Sequence, residues 1–323
     1  MSQNITHQFI GEMVNGLIFD GFYILNSAQI RKSRAGKPYL SGTLMDISGS
    51  INLVAWDYTG LITADDVGKV VYVDGEVGEY NGTPQVVCTV LELATEEDNG
   101  SFNLANLIPY APINCQTAVQ QMHRVLEGLE DEVYRNISLG IFNTFAPLLS
   151  SLPAAKSVHH AFIGGWATHT LGMIILAERI YDEYHRIHSI NRSLLMAGVF
   201  LHDIGKFREF QLSPFGLVAD YSMEGKLIGH PVLGALIIEN EAQKGAYPLE
   251  KVRQLQHIVL SHHGAPELGA ATRPQTMEAE IINYLDGLNS RMDIYNTALS
   301  KTEEGAFSDY VRALDKRVYH ATA

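Results

Sequence analysis

Residues 194–206 read Leu-Leu-Met-Ala-Gly-Val-Phe-Leu-His-Asp-Ile-Gly-Lys. A helix that is apolar on every side belongs inside a protein, yet this one ends on an imidazole beside a carboxylate, His202-Asp203, before turning at Gly205. Burying both groups costs several kcal/mol unless they are paired or coordinated. A bound metal ion removes that cost, and the rest of the chain must then supply further ligands. Ten of the 13 histidines fall between His159 and His263, and His169, His230, the doublet His262-His263 and Asp286 extend the set over several helix-length segments. Imidazole with carboxylate suits borderline divalent ions such as Mn, Fe, Ni or Zn. Lys206, within one turn of the doublet, is in reach of a phosphate oxygen on such an ion, so hydrolysis of a phosphate ester is the chemistry expected. His185, His188 and His257 read as ordinary core or surface histidines.

The hydrophobic period changes along the chain. Short β-type runs at 22–25, 39–44, 51–56, 70–73 and 85–90 are separated by turn residues, with a short helical piece near 61–67 between the third and fourth. Five strands with a helix in that gap is the order of an OB barrel. A polar connection follows, and from Cys115 apolar residues recur at helical spacing. Helices are expected at about 116–128, 131–150, 159–187, 191–203, 224–244, 249–263 and 275–300, with a hairpin or loop at 210–221 around Pro214-Phe215-Gly216. The expected fold is therefore multidomain: a barrel at 1–95, a linker at 96–112 and an all-α bundle at 113–323.

At 323 residues and 46% hydrophobic content the chain can fill two cores. Only Cys88 and Cys115 are present, and neither a signal-like start nor an apolar stretch near 18 residues is found, so a reducing cytoplasm and no membrane are expected. The formal charge of −13 opposes indiscriminate adhesion to nucleic acid. Local charge differs, because four of the five basic residues in the first hundred, Arg31, Lys32, Arg34 and Lys37, lie within seven positions. These residues, with Tyr39 and Trp56 as stacking faces, fit a grip on a single strand. The alternative is a solvated turn with Trp56 in the barrel core. Arg273, ahead of a helix start, is a further candidate phosphate contact. Apolar helices near the C-terminus permit a homo-oligomer without requiring one.

The stretch 39–57 resembles OB folds of the tRNA-anticodon-binding kind, in which the basic segment 31–37 forms the loop between strands one and two. The later motifs resemble the HD phosphohydrolase superfamily, whose pattern of His, His-Asp and distant Asp falls on His169, His202, Asp203 and Asp286. Gly229-His230-Pro231 and Ser261-His262-His263-Gly264 resemble segments that give some HD enzymes, including the HD-GYP type, a second metal. The resemblance implies one ion on His169, His202, Asp203 and Asp286, and another on His230, His262 and His263 with Asp203 bridging. A departure is Gly165, one turn before His169, where HD-GYP enzymes tend to carry an acidic ligand. His159 and His160 face either the phosphate, through one imidazole (His160 the candidate), or a helix start.

Barrel and bundle together, with the segments HHAFIGG, ATHT, LHDIGK, LSHHG and EAEIINYLDGL in order, resemble the YhaM-type 3′-5′ exoribonucleases. That resemblance implies a metal-dependent hydrolase of single-stranded RNA, with DNA a second substrate, in which Asp203 and Lys206 serve the reaction. It implies one or two divalent ions, manganese first and Fe, Ni, Zn or Mg as alternatives. Two other functions stay open: a phosphohydrolase or cyclic-nucleotide phosphodiesterase acting on free nucleotides, and a non-catalytic single-strand-binding protein.

Overall fold

The structure, a computed structural model, describes residues 6–98, 100–156, 158–213 and 215–322. It separates into two compact units, one of residues up to Tyr110 with Leu212–Ala219, the other of Ala111–Gln211 with Asp220–Ala323.

In the first unit β1 (Ile18–Lys32), β2 (Pro38–Asp46), β3 (Gly49–Trp56), β4 (Val70–Tyr80) and β5 (Thr83–Leu93) close into a barrel of order β1-β2-β3-β5-β4. β1 is much longer than the run 22–25 expected, because it serves two neighbours. Its first half pairs with β4 (Phe22 opposite Tyr72) and its second with β2 (Ile30 opposite Leu40), with a bulge between Leu25 and Ser27 where it bends. Alternation sends Tyr23, Leu25, Leu40, Leu44, Leu53, Val71, Val73 and Val86 into the barrel, all fully buried. The helical piece expected near 61–67 is a single 3-10 turn, Ala64–Asp66, capped by Thr63. The segment 96–112, expected as a linker, is folded through most of its length. It carries helix α1 (Leu104–Leu107), buries Leu107 and Ile108, and ties to the barrel where Ile47 N donates to Asn106 O at 3.1 Å.

Asp46 at the end of β2 is buried and accepts five hydrogen bonds. Ser48 N (2.7 Å), Ser48 Oγ (2.6 Å) and Gly49 N (3.2 Å) donate to Oδ1, and Ile10 N (2.9 Å) and His7 Nε2 (3.0 Å) to Oδ2. Burial raises the affinity of this carboxyl for its proton, but those donors outweigh it and hold it below the ordinary carboxylate value. Asp46→Ala is expected to destabilise the barrel by about 2–3 kcal/mol, because charge-assisted bonds are lost and buried donors are left unpaired. Since the folded group releases its proton more readily than the unfolded one, its contribution is complete above the ordinary carboxylate range. It is lost as pH falls through the folded value. Urea unfolding of both proteins at neutral and acid pH should show the difference shrinking as pH falls.

The second unit is helical: α2 (Cys115–Glu127), α3 (Glu132–Phe145), α4 (Gly165–Tyr184), α5 (Arg192–Leu201), α6 (Lys206–Glu209), α7 (Met223–Leu227), α8 (His230–Ala242), α9 (Leu249–Ser261) and α10 (Met277–Leu299). Asn114, Asp131, Asn191 and Thr276 cap α2, α3, α5 and α10 through side-chain oxygens that accept backbone N–H bonds. The apolar helix α5 is the hub. Every residue from Leu194 to Leu201 is buried, and α2, α3, α4, α9 and α10 pack around it.

Three expected helices differ in extent. The segment expected to be helical from 159 starts only at Gly165, since His160 (φ 46°) and Gly164 (φ 80°) have left-handed backbone. The one expected over 224–244 is broken at Gly229, whose φ of 80° and ψ of 154° separate α7 from α8. α3 stops at Phe145 rather than near 150. β6 (Phe210–Leu212) and β7 (Val218–Tyr221) form the two-stranded hairpin expected after the His-Asp doublet. Pro214, expected in its turn, lies outside the described residues. No helix among the described residues is long and apolar enough to cross a membrane.

Candidate metal centre

Five helix ends or faces deliver the polar groups. His169 lies in the second turn of α4, His202 and Asp203 close α5, His230 opens α8, His262 and His263 close α9, and Asp286 sits on α10. Two glycines let these backbones approach. A Cβ on Gly205 would lie 1.9 Å from His230 O, and one on Gly165 would lie 1.9 Å from His160 O. Gly165 therefore has no room for the acidic side chain that HD-GYP enzymes tend to carry one turn before the histidine.

Four of the five imidazoles are oriented through Nδ1, that of His263 being the exception. In His202 and His262, Nδ1–H donates to the carbonyl three residues back, Val199 O and Val259 O, both at 2.7 Å. His169 Nδ1–H donates to Asn289 Oδ1 at 2.8 Å, and His230 Nδ1–H to the carboxylate of Glu209 at 3.1 Å. That bond assigns the tautomer and leaves the Nε2 lone pair free. The free lone pairs of His169 and His202 then face one another, Nε2 to Nε2 at 3.2 Å, and the Nε2 of His230 faces that of His263 at 3.0 Å. Opposed lone pairs repel unless a cation lies between them. His262 Nε2 is buried and has no hydrogen-bond partner.

Asp203, buried to 2% exposure, stands between the two sets. Its Oδ2 lies 3.3 Å from His202 Nε2 and 3.9 Å from His169 Nε2, and its Oδ1 lies 3.6 Å from His230 Nε2 and 3.7 Å from His262 Nε2. Asp286 Oδ1 is 3.3 Å from His169 Nε2. His169, His202 and Asp203 on one side, and His230, His262 and His263 on the other, bring their donor atoms close enough to hold a metal ion. Charge agrees with geometry. Burial opposes ionisation of Asp203, yet Lys206, His202 and His230 hold its carboxyl well below the usual range. Burial likewise opposes a charged His202, but Asp203 and Asp286 outweigh it and raise its proton affinity. Burial and the adjacent His263 keep His262 neutral. The centre attracts positive charge while keeping nitrogen lone pairs available.

Lys206 Nζ donates to Asp203 Oδ2 at 2.7 Å and to Ala154 O at 2.8 Å. It lines a cleft next to the cluster, together with His159, Glu209, Phe210, Tyr221, Lys226, His230 and His263. Of the two adjacent histidines it is thus His159 that faces the cleft, not His160. The left-handed backbone of His160 turns its ring inwards, its N donates to Asp293 Oδ2 at 2.7 Å, and its ring centroid is 5.4 Å from that of His169. Burial pushes both rings down to about 4, with Lys206 adding to the effect at His159 and His169 at His160. Arg273 is not brought to the cluster. It is exposed, with Nη2 3.9 Å from Glu267 Oε2.

Glu209, Asn289 and Asp293 escaped sequence reasoning. Asp286, Asn289 and Asp293 recur at helical spacing on one face of α10, a pattern that could have flagged the last two. Glu209, one turn after Lys206, also donates no signal through composition, but it is buried and accepts both His230 N (2.9 Å) and His230 Nδ1.

On the barrel the basic segment is only partly a loop. Arg31 and Lys32 end β1, while Arg34 lies in the turn to β2. Arg31 pairs opposite Tyr39, and Tyr39 opposite Trp56, so the three form a row across β1, β2 and β3. Trp56 is 56% exposed and its ring lies 4.8 Å from that of Tyr39, which rules out its reading as barrel core. Lys37 is engaged with Asp57 at 2.8 Å.

Comparison with known proteins agrees with both halves. The HD domain family matches residues 166–290, and an OB-fold nucleic acid binding domain family matches 27–94. Among solved structures, the second OB-fold domain of replication protein A from Methanococcus maripaludis is 17% identical, with a TM-score of 0.23, covering 28% of this chain and 95% of that one. An OB domain from Methanosarcina mazei is 21% identical, with a TM-score of 0.22, covering 26% and 79%. The 3′-5′ exoribonuclease YhaM of Geobacillus sp. (strain WCH70) is 31% identical over 324 residues, spanning 99% of this chain and 95% of the relative. With that identity running nearly end to end through both barrel and helical centre, the chain belongs to the YhaM family of 3′-5′ exoribonucleases.

Proposed function

We propose that this protein removes nucleotides from the 3′ end of single-stranded RNA, accepts DNA as a second substrate, and works with manganese. The observation that carries the reading is the placement of Asp203, whose two oxygens face separate sets of Nε2 lone pairs. In this reading His169, His202, Asp203 and Asp286 would hold one ion, and His230, His262 and His263 would hold another, with Asp203 serving both sets. The unpartnered Nε2 of His262 supports the fit. The chemistry that divalent ions would supply there is acidification of water and neutralisation of charge on phosphoryl oxygens.

The chain's own groups do the remainder. Asp203 stays ionised and keeps both sets of imidazoles in register. Lys206, anchored by Asp203 and Ala154 O, presents positive charge to the cleft where phosphoryl oxygens gain negative charge. Glu209 and Asn289 hold the rings of His230 and His169 at the angle at which their lone pairs point inwards. Residues 1–95 serve as the strand-binding module and 113–323 as the catalytic one. Arg31, Lys32 and Arg34 meet phosphates and the Tyr39-Trp56 pair offers a stacking face.

A time course on a 5′-labelled single strand, repeated with different divalent ions, tests this directly. A ladder shortening from the 3′ end supports it, whereas internal cuts, or turnover confined to free or cyclic nucleotides, would reject it. Reversing charge at Arg31 and Lys32 (Arg31→Glu with Lys32→Glu) is expected to weaken binding of a long strand about tenfold at low salt. It should also flatten the slope of log affinity against log salt by roughly 1.4, about 0.7 per lost phosphate contact. Turnover of a dinucleotide should stay within a factor of about two. Fluorescence anisotropy across a salt series reads the first effect, and equal losses on both substrates would count against the barrel's role.

A further inference from the structure

The cleft beside the histidine cluster encloses about 420 Å³, within the usual range for a small-molecule site and suited to one nucleotide. His230, His263, Lys206 and Glu209 line it near the cluster, and Phe210 and Tyr221 line it from the hairpin strands. Tyr221, at the end of β7, is partly exposed, and its ring lies 5.8 Å from that of Phe210. Lys156 Nζ stands 5.7 Å from the Tyr221 ring centroid and 3.5 Å from Asp220 Oδ1, while Lys226 Nζ is 2.5 Å from Asp220 Oδ2. Two ammonium groups share a single carboxylate, so this edge keeps a net positive charge next to an aromatic face.

The wall is fixed to the same short helix that carries Lys206 and Glu209. Ser222, directly after Tyr221, donates its N–H to Glu209 O at 2.7 Å and its Oγ–H to Arg208 O at 2.8 Å. Tyr221 is therefore held at a set position relative to Lys206. An aromatic face, a positive edge and a volume for one nucleotide are what a stacked terminal nucleoside requires.

We propose that this cleft is the subsite for the terminal nucleotide of the strand, with its base stacked on Tyr221 and the adjoining backbone charge met by Lys226 and Lys156. The inference rests on the ribonuclease reading above. Stacking tolerates every base because each has a π-face, and an enzyme that shortens a strand stepwise needs that tolerance at its terminal position.

The test compares Tyr221→Ala, Tyr221→Leu and Tyr221→Phe in the full-length protein, on a single-stranded oligonucleotide and on an abasic dinucleotide, a diester without a nucleobase or any other aromatic ring. The Ala and Leu variants are expected to raise KM for the oligonucleotide about tenfold with kcat little changed, a base-stacking contribution of ordinary size. Tyr221→Phe should restore it, and turnover of the base-free diester should match wild type throughout. A 2-aminopurine at the 3′-terminal position should be quenched on binding to the wild type and to the Phe variant, and not to the Leu variant. Unchanged oligonucleotide KM in both Ala and Leu variants, or an equal rise on the base-free diester, would overturn the subsite. Wild type that turns over the diester but shortens no strand would instead sink the ribonuclease reading.

Discussion

Replacing Asp203 with asparagine is expected to lower hydrolysis at least about 10³-fold, on the order of 4 kcal/mol of lost transition-state stabilisation. The side chain keeps its shape but loses the charge that faces four imidazole nitrogens and Lys206. With the anion gone, the ammonium of Lys206 stays buried with only neutral acceptors, Ala154 O among them. Both sets of lone pairs lose their common neighbour at once, so one substitution disables both halves of the centre. Strand binding by the barrel should stay within a factor of about two, because Arg31, Lys32, Tyr39 and Trp56 belong to the other unit. Single-turnover cleavage and anisotropy on the same labelled strand separate the two effects. Turnover within tenfold of wild type would remove Asp203 from the mechanism.

Stripping divalent ions with a chelator is expected to abolish hydrolysis and to lower the melting temperature of the helical unit. Restoring manganese to a hundred times its dissociation constant should return about 2.7 kcal/mol, roughly 5–10 °C for a unit of this size. The physical source is the opposed Nε2 lone pairs of His169 and His202, 3.2 Å apart, a repulsion that a cation turns into attraction. His202→Ala should blunt the thermal response, since it removes one donor and its link to Val199 O. The response should also weaken as pH falls, because the raised proton affinity of His202 lets protons compete with the ion. Equal melting curves with and without manganese, together with activity in chelator, would exclude this account.

Much of this molecule is legible from local pattern. Residues 194–201 are apolar on all sides, and only a central helix accommodates that, which is where α5 lies. The turn chemistry between the five apolar runs placed the barrel strands in order, although β1 proved far longer, since pairing with both β2 and β4 is a tertiary demand. The helix breaks at Gly164 and Gly229 are less legible, because an isolated glycine inside a helical pattern can also be tolerated.

Side-chain direction was the least readable property. Trp56 shares its face of β3 with buried Val54, and only the closed barrel decides that it is exposed where Val54 is covered. His159 and His160 are neighbours of equal chemistry, and a left-handed backbone at His160 sends one to the cleft and the other towards Asp293.

Residue types and their order by themselves determined that a strand-rich barrel precedes a helical unit and that buried imidazoles and carboxylates must be paired or coordinated. Periodicity and desolvation cost are local properties of the chain, so both can be read without coordinates. Only the tertiary structure decided that Asp203 turns one oxygen to each set of histidines, that Glu209 and Asn289 orient two of the rings, and that Tyr221 walls the cleft. Those outcomes depend on backbones distant in the chain meeting at close range, as Gly205 does against His230 O, and no local pattern encodes which oxygen then faces which ring.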